Sequence, residues 1–231
     1  MIENLPAYIT WFFVLTTVLT IIFFLYAVWE AGRQKAFLYT TAGVLALLLG
    51  LQAALSYNGF YLVKTMPPRF ALAVLPTTVI LLILFFSFAR KGISDKSLQI
   101  LTLLSIVRVP VEIILFWVYQ EGLIPQLMTF EGRNFDVLSG LTAPVVAWLA
   151  FRGGAVNRPL LIAWNLLAFG LLLNIVTHAI LSLETQFQQF AFDQPNRAVL
   201  YFPFIWLPAI IVPIVFVSHV VSLRQLLKRS R

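Results

Sequence analysis

The sequence predicts an all-α fold, a polytopic membrane bundle of seven transmembrane helices, and three observations predict it. Hydrophobic residues make up 61% of the 231 residues and charged residues only 11%, whereas an ordinary soluble domain carries about 25% charged residues. Apolar runs of the roughly 20 residues needed to cross a bilayer recur along the whole chain. The segments between them are short and carry the breakers and charges expected at a membrane surface. No polar stretch is long enough for a separate globular unit, so residues 1–231 are read as one transmembrane domain.

In order, the runs are about 7–29, 36–57, 70–89, 98–119, 135–151, 159–183 and 199–223. The first exceeds a signal-peptide core, follows Glu3 instead of a basic leader and lacks a small-residue cleavage pattern, so it is expected to remain as a helix. Glu30, Gly32, Arg33 and Lys35 separate the first run from the second. Asn58, Gly59, Lys64, Pro67 and Pro68 precede the third, and Arg90, Lys91, Gly92 and Asp95 follow it. The fifth run is the shortest. The connections 120–134 and 184–198 mix aromatic and aliphatic side chains with polar ones, which suits either segments along the interface or partly ordered loops.

Lysine and arginine counts orient the bundle. Seven crossings put 11 of them (Arg33, Lys35, Arg90, Lys91, Lys96, Arg152, Arg158, Arg224, Lys228, Arg229 and Arg231) on one side and 4 (Lys64, Arg69, Arg133 and Arg197) on the other, with Arg108 inside a span. The positive-inside rule makes the richer side cytoplasmic. The N-terminus is then outside, the C-terminus is cytoplasmic, and the expected location is the cell membrane.

Composition also excludes. There is no cysteine, hence no disulfide, thiolate metal site, iron–sulfur cluster or cysteine nucleophile. The net charge of +7 is spread over loops without a patch for nucleic acid. No serine elbow, phosphate-binding glycine loop or His-Glu-x-x-His pattern is present, so neither cofactor nor metal is expected. Seven helices in this orientation also occur in the microbial rhodopsins, which need a lysine in the seventh helix for the retinal Schiff base; every lysine here lies in a loop or tail.

What remains are polar groups that hydrocarbon does not tolerate without a partner or a wet cavity. Arg108 and Glu112 are four apart on one face of the fourth helix, close enough to pair directly, and Pro110 between them cannot donate to the Ile106 carbonyl and should loosen the helix there. Asn174 and His178 share a face of the sixth helix, beside Thr177. Glu131, Arg133, Asn134 and Asp136 crowd the mouth of the fifth, where Asn134 or Asp136 also suits a plain N-cap. Gln52 adds a polar group near the outer end of the second. His219, some 20 residues into the last run and therefore about 30 Å below its start, is expected at the cytoplasmic interface near Arg224, too far from His178 to share a metal.

The depths of Gln52, Arg108, Glu112, Asp136, Asn174 and His178 converge on an outer-half pocket with Glu131, Arg133 and Asn134 at its mouth. The expected partners are membrane lipids and a small-molecule or lipid ligand, and the leading function is binding or transport of a small polar or amphipathic molecule. An intramembrane enzyme acting on a lipid or lipid-linked substrate, with Glu112 or Asp136 as base and His178 as acid or orienter, is one alternative. A structural or assembly subunit, whose polar pairs only fasten helices together, is the other.

Overall fold

The computed structural model describes residues 2, 5–90 and 92–228. Glu3, used above in reading the first run, and Lys91, Arg229 and Arg231, which enter the charge balance, lie outside the described residues. The chain is an all-helical membrane bundle. Its helices are α1 (Ala7–Gly32), α2 (Lys35–Tyr57), α3 (Ala71–Phe88), α4 (Asp95–Leu104), α5 (Arg108–Gln120), α6 (Val137–Phe151), α7 (Arg158–Leu181) and α8 (Val212–Lys228). A 3-10 turn at Ser105–Val107 joins α4 to α5 as one span, Asp95–Gln120. A π turn at Leu207–Ile211 extends α8 to Leu207–Lys228. Among the described residues, six spans are long and apolar enough to cross a membrane, and α6 is apolar but shorter.

The outward surface is as apolar as the core. Trp11, Leu47 and Leu167 are about 70% exposed, while Phe13, Leu45 and Ala168 on the same helices are buried. A helix that is apolar all round belongs in lipid. In α1 the buried hydroxyls of Thr16, Thr17 and Thr20 donate to carbonyls one turn back, at 2.7 to 3.0 Å.

The helices alternate in direction. At one end Ser94 donates to the Glu30 carbonyl (2.6 Å), Lys96 pairs with Glu30 (3.2 Å) and the Ile93 N–H donates to Gln225 (3.1 Å). At the other, Ser56 donates to the Leu200 carbonyl (2.8 Å), Gln194 to that of Ile124 (2.6 Å) and the Arg197 N–H to that of Leu123 (3.0 Å). The connections after α5 and α7 are therefore tied into one ordered cap.

The last span begins later than the run from 199 suggests. Pro203 has no N–H to offer a helix, so after the 3-10 turn at Ala198–Leu200 residues 201–205 stay irregular. The helical segment opens at Leu207, with Pro208 in its first turn, where that N–H is not missed. The π turn then precedes Pro213 at the start of α8.

The 3-10 break in the fourth span faces a residue without a side chain. A Cβ on Gly140 of α6 would stand 2.8 Å from Val109 Cγ2 and 3.2 Å from both the Ser105 carbonyl oxygen and the Val109 nitrogen. The glycine therefore lets the first turn of α6 approach the helix at the level of Arg108. Gly170 in α7 has open space where its Cβ would be. Gly140→Ala should lower the Tm in detergent through overpacking of about 1–3 kcal/mol, whereas Gly170→Ala should hold or raise it through helix propensity; thermal melts of the two variants check the contrast.

Candidate functional site

The close approach of α6 places Asp136, the residue before its first turn, against the fourth span. Arg108 Nη1 donates to Asp136 Oδ1 at 2.6 Å and to the Ala168 carbonyl of α7 at 3.1 Å. Asp136 occupies the N-cap position but makes no side-chain cap bond; its carboxylate is committed to Arg108, with Ser139 at 3.4 Å as a second donor. Arg108 Nη2 lies 2.6 Å from His219 Nε2.

A guanidinium has only donors, so Nε2 of His219 accepts. The imidazole proton is then on Nδ1, which donates to Asn165 Oδ1 at 2.9 Å, while the Asn165 amide donates to the Leu161 carbonyl at 2.8 Å. This contact makes His219 a neutral partner of Arg108. It also corrects two expectations. His219 is not at a membrane interface near Arg224: with the helical segment starting at Leu207 it falls near mid-span, buried against Trp164 and Phe169. Nor does Arg108 form an ion pair with Glu112: its carboxylate partner is Asp136, and its terminal nitrogens otherwise meet the Ala168 carbonyl and His219.

Glu112 instead takes a hydrogen bond at Oε1 from the Asn134 amide. Asn134 also donates to the Met128 carbonyl (3.1 Å) and accepts the Asp136 N–H (3.1 Å), so one side chain folds the turn before α6 and carries Glu112.

Arg108, Glu112, Asn134 and Asp136 line a cavity of about 80 Å³ together with Asn196 and a wall of aliphatic residues that includes Leu115, Leu172, Ile175 and Val215. Several water molecules, or a head group of a few heavy atoms, fit in such a space. Five buried side-chain polar atoms among the described residues lack a partner, and three of them, Arg108 Nε, Glu112 Oε2 and Asn196 Oδ1, belong to residues lining this cavity. Buried polar groups are otherwise almost always satisfied.

The other predicted residues lie elsewhere. Gln52 is buried, donates to the Leu72 carbonyl (3.1 Å) and accepts the Tyr61 hydroxyl, binding α2 to the start of α3. Asn174 donates to the Arg133 carbonyl (2.9 Å), and His178 turns Nδ1 to the Asn174 carbonyl (2.8 Å) and stacks on Phe190. The Arg133 guanidinium lies over that same ring. These groups fasten the cap to α7 on a face away from the cavity, whose α7 lining is Leu172, Ile175, Val176, Ala179 and Ile180. Glu131 and Arg133 are exposed and do not line it. No imidazole lines the cavity among the described residues, and no group of three or more His, Asp or Glu is disposed to hold a metal there.

Phe70 and Asn196 also border a larger groove of about 850 Å³ at the cap end, lined by Lys64, Arg69, Glu184 and Arg197. Glu184 bridges Lys64 (3.6 Å) and Arg197, and the Arg197 guanidinium beside it holds its carboxyl below the usual carboxylate range.

His219, Asn165 and Asn196 belong to the buried cluster or its wall and were not among the predicted site residues. For Asn165 the signal was available, an amide in the middle of an apolar run. For Asn196 there was none, since an asparagine in a loop is ordinary.

Residues 65–227 match the family described as a domain of unknown function (DUF8737), and the chain belongs to that family. No curated protein and no solved structure matches the chain.

Because Arg108 and Asp136 are buried and answer each other, Arg108→Ala and Asp136→Ala should each cost about 3–5 kcal/mol, and the double variant much less than their sum. The corresponding cycle for Arg108 and Glu112 should show the smaller coupling. Equal coupling energies from thermal or denaturant melts would contradict the assignment.

Proposed function

We propose that this member of the DUF8737 family crosses the membrane seven times, with its N-terminus outside and its C-terminus in the cytoplasm, and binds a small amphipathic molecule in the cavity between α3, α5, α7 and the last span. The observation that carries the proposal is the coincidence of an apolar cavity with three unpartnered polar atoms on its lining residues. An unmet buried donor or acceptor costs about 1–3 kcal/mol, and a fold that served only to hold helices together has no reason to collect three beside one space. A ligand with a polar head would answer all three and lay its apolar part against Leu115, Leu172, Ile175 and Val215. An enzymatic reading has less support, because His178 stacks on Phe190 instead of facing Glu112 or Asp136.

The orientation rests on the charge balance of 11 against 4. In this cysteine-free chain, single cysteines introduced at 64 or 193 should react with an impermeant thiol reagent applied from outside, and those at 95 or 228 should not; the reverse pattern overturns the orientation.

Function and structure make opposite demands on Glu112. If it is kept for a ligand, Glu112→Leu removes an unsatisfied buried carboxylate and should leave the Tm unchanged or raise it, since apolar replacement of buried charge is often neutral or stabilising by about 1–4 kcal/mol. If its role is structural, the variant should melt lower. Melts of the purified protein decide this before any ligand is known.

A further inference from the structure

We infer that the head of this ligand is a primary ammonium with a neighbouring oxygen acceptor, carried on an apolar tail. The inference rests on the binding function proposed above and adds its chemical class.

The charges on the cavity lining do not balance. Among the described residues, Arg108 is its one cation and Glu112 and Asp136 are its two carboxylates. Asp136 is matched to Arg108 at 2.6 Å, and the guanidinium's other partners, the Ala168 carbonyl and His219, are neutral. His219 cannot supply the missing charge while the lone pair of Nε2 faces Arg108, and its other neighbours (Asn165, Trp164 and Phe169) carry none. Glu112 is the excess negative charge: 3% exposed, its Oε1 held by a neutral amide and its Oε2 held by nothing. A carboxylate so buried requires a cation or a proton.

The unmet hydrogen bonds discriminate further. Glu112 Oε2 and Asn196 Oδ1 accept, whereas Arg108 Nε donates. A primary ammonium brings the missing charge and enough donors for both acceptors. A hydroxyl or carbonyl oxygen beside it accepts from Arg108, which stands one helical turn from Glu112 on the same face. An alcohol alone suits the lining only if Glu112 carries a proton, an alternative that the hexan-1-ol arm of the test below reads out; a carboxylate adds a third anion, and a quaternary ammonium brings charge without a donor.

The test uses the full chain in lipid nanodiscs at pH 7 with short-chain probes: 2-aminohexan-1-ol, hexylamine, hexan-1-ol, hexanoate and hexyltrimethylammonium. 2-Aminohexan-1-ol should raise the Tm saturably and most strongly, hexylamine less, and the other three not at all. Glu112→Gln, which keeps the shape and an acceptor for Asn134, should weaken both amines about tenfold or more, the worth of one charge-assisted hydrogen bond. Ile175→Phe, which fills the apolar half without touching a polar group, should abolish the shifts even if Glu112→Gln folds poorly. Stabilisation by hexanol or hexanoate equal to that by the amines, or amine binding unchanged in folded Glu112→Gln, overturns the ammonium assignment and leaves the amphiphile site standing. No saturable shift with any probe overturns both.

Discussion

A guanidinium in the interior of a membrane protein must have its charge matched from within the protein, and the bundle is arranged around that requirement. Arg108 draws Asp136 from the mouth of α6, a mid-helix carbonyl from α7 and an imidazole from α8, so three helices are fixed relative to the fourth span by one side chain. Two of these contacts depend on a local irregularity. The missing side chain of Gly140 brings α6 in, and the late start of the last span brings His219 to the right depth. Regular helices of uniform length would have left the charge unmatched.

The remaining polar groups divide by whether their bonds close. Gln52 with Tyr61 and Leu72, and Asn174 with Arg133, are complete in themselves and join neighbouring elements. Their value is mechanical, and the interhelical bonds of such pairs are worth roughly 0.6 to 2 kcal/mol in a membrane. The cluster at Glu112 stays open at three atoms. That difference, more than the presence of charge, distinguishes a candidate site from a fastener.

Much of the fold was legible because lipid imposes a length and a polarity on each span, and both can be read from residue order. Six of the seven runs appear as long apolar helices among the described residues, and the fifth as a shorter one. Arg108, Glu112 and Asp136 were legible for the same reason: a charge in an apolar run is conspicuous. Pairing was not. Helical periodicity places Arg108 beside Glu112, but it carries no record of α6 approaching through Gly140, so the partner across the interface could not be seen. His219 was displaced by an error of register, since hydropathy alone extended the last helix through Pro203 and pushed everything after it about two turns too deep. Asn174 and His178 share a face, as their spacing requires, yet which face looks inward is a property of the whole bundle.

The length of α6 has one further consequence. Fifteen residues of helix reach about 22 Å, some 8 Å short of a hydrocarbon layer about 30 Å thick. In the seven-crossing arrangement proposed above, a helix that short leaves room for the positive end of its dipole, which points at Asp136, to stop beneath the membrane surface. The deficit is made up by non-helical backbone, the turn held by Asn134 and Met128, which hydrocarbon admits only when protein encloses it. Hydrophobic mismatch thus does in one helix what a broken pair does elsewhere: it delivers a helix terminus, with its unspent partial charge, to membrane depth.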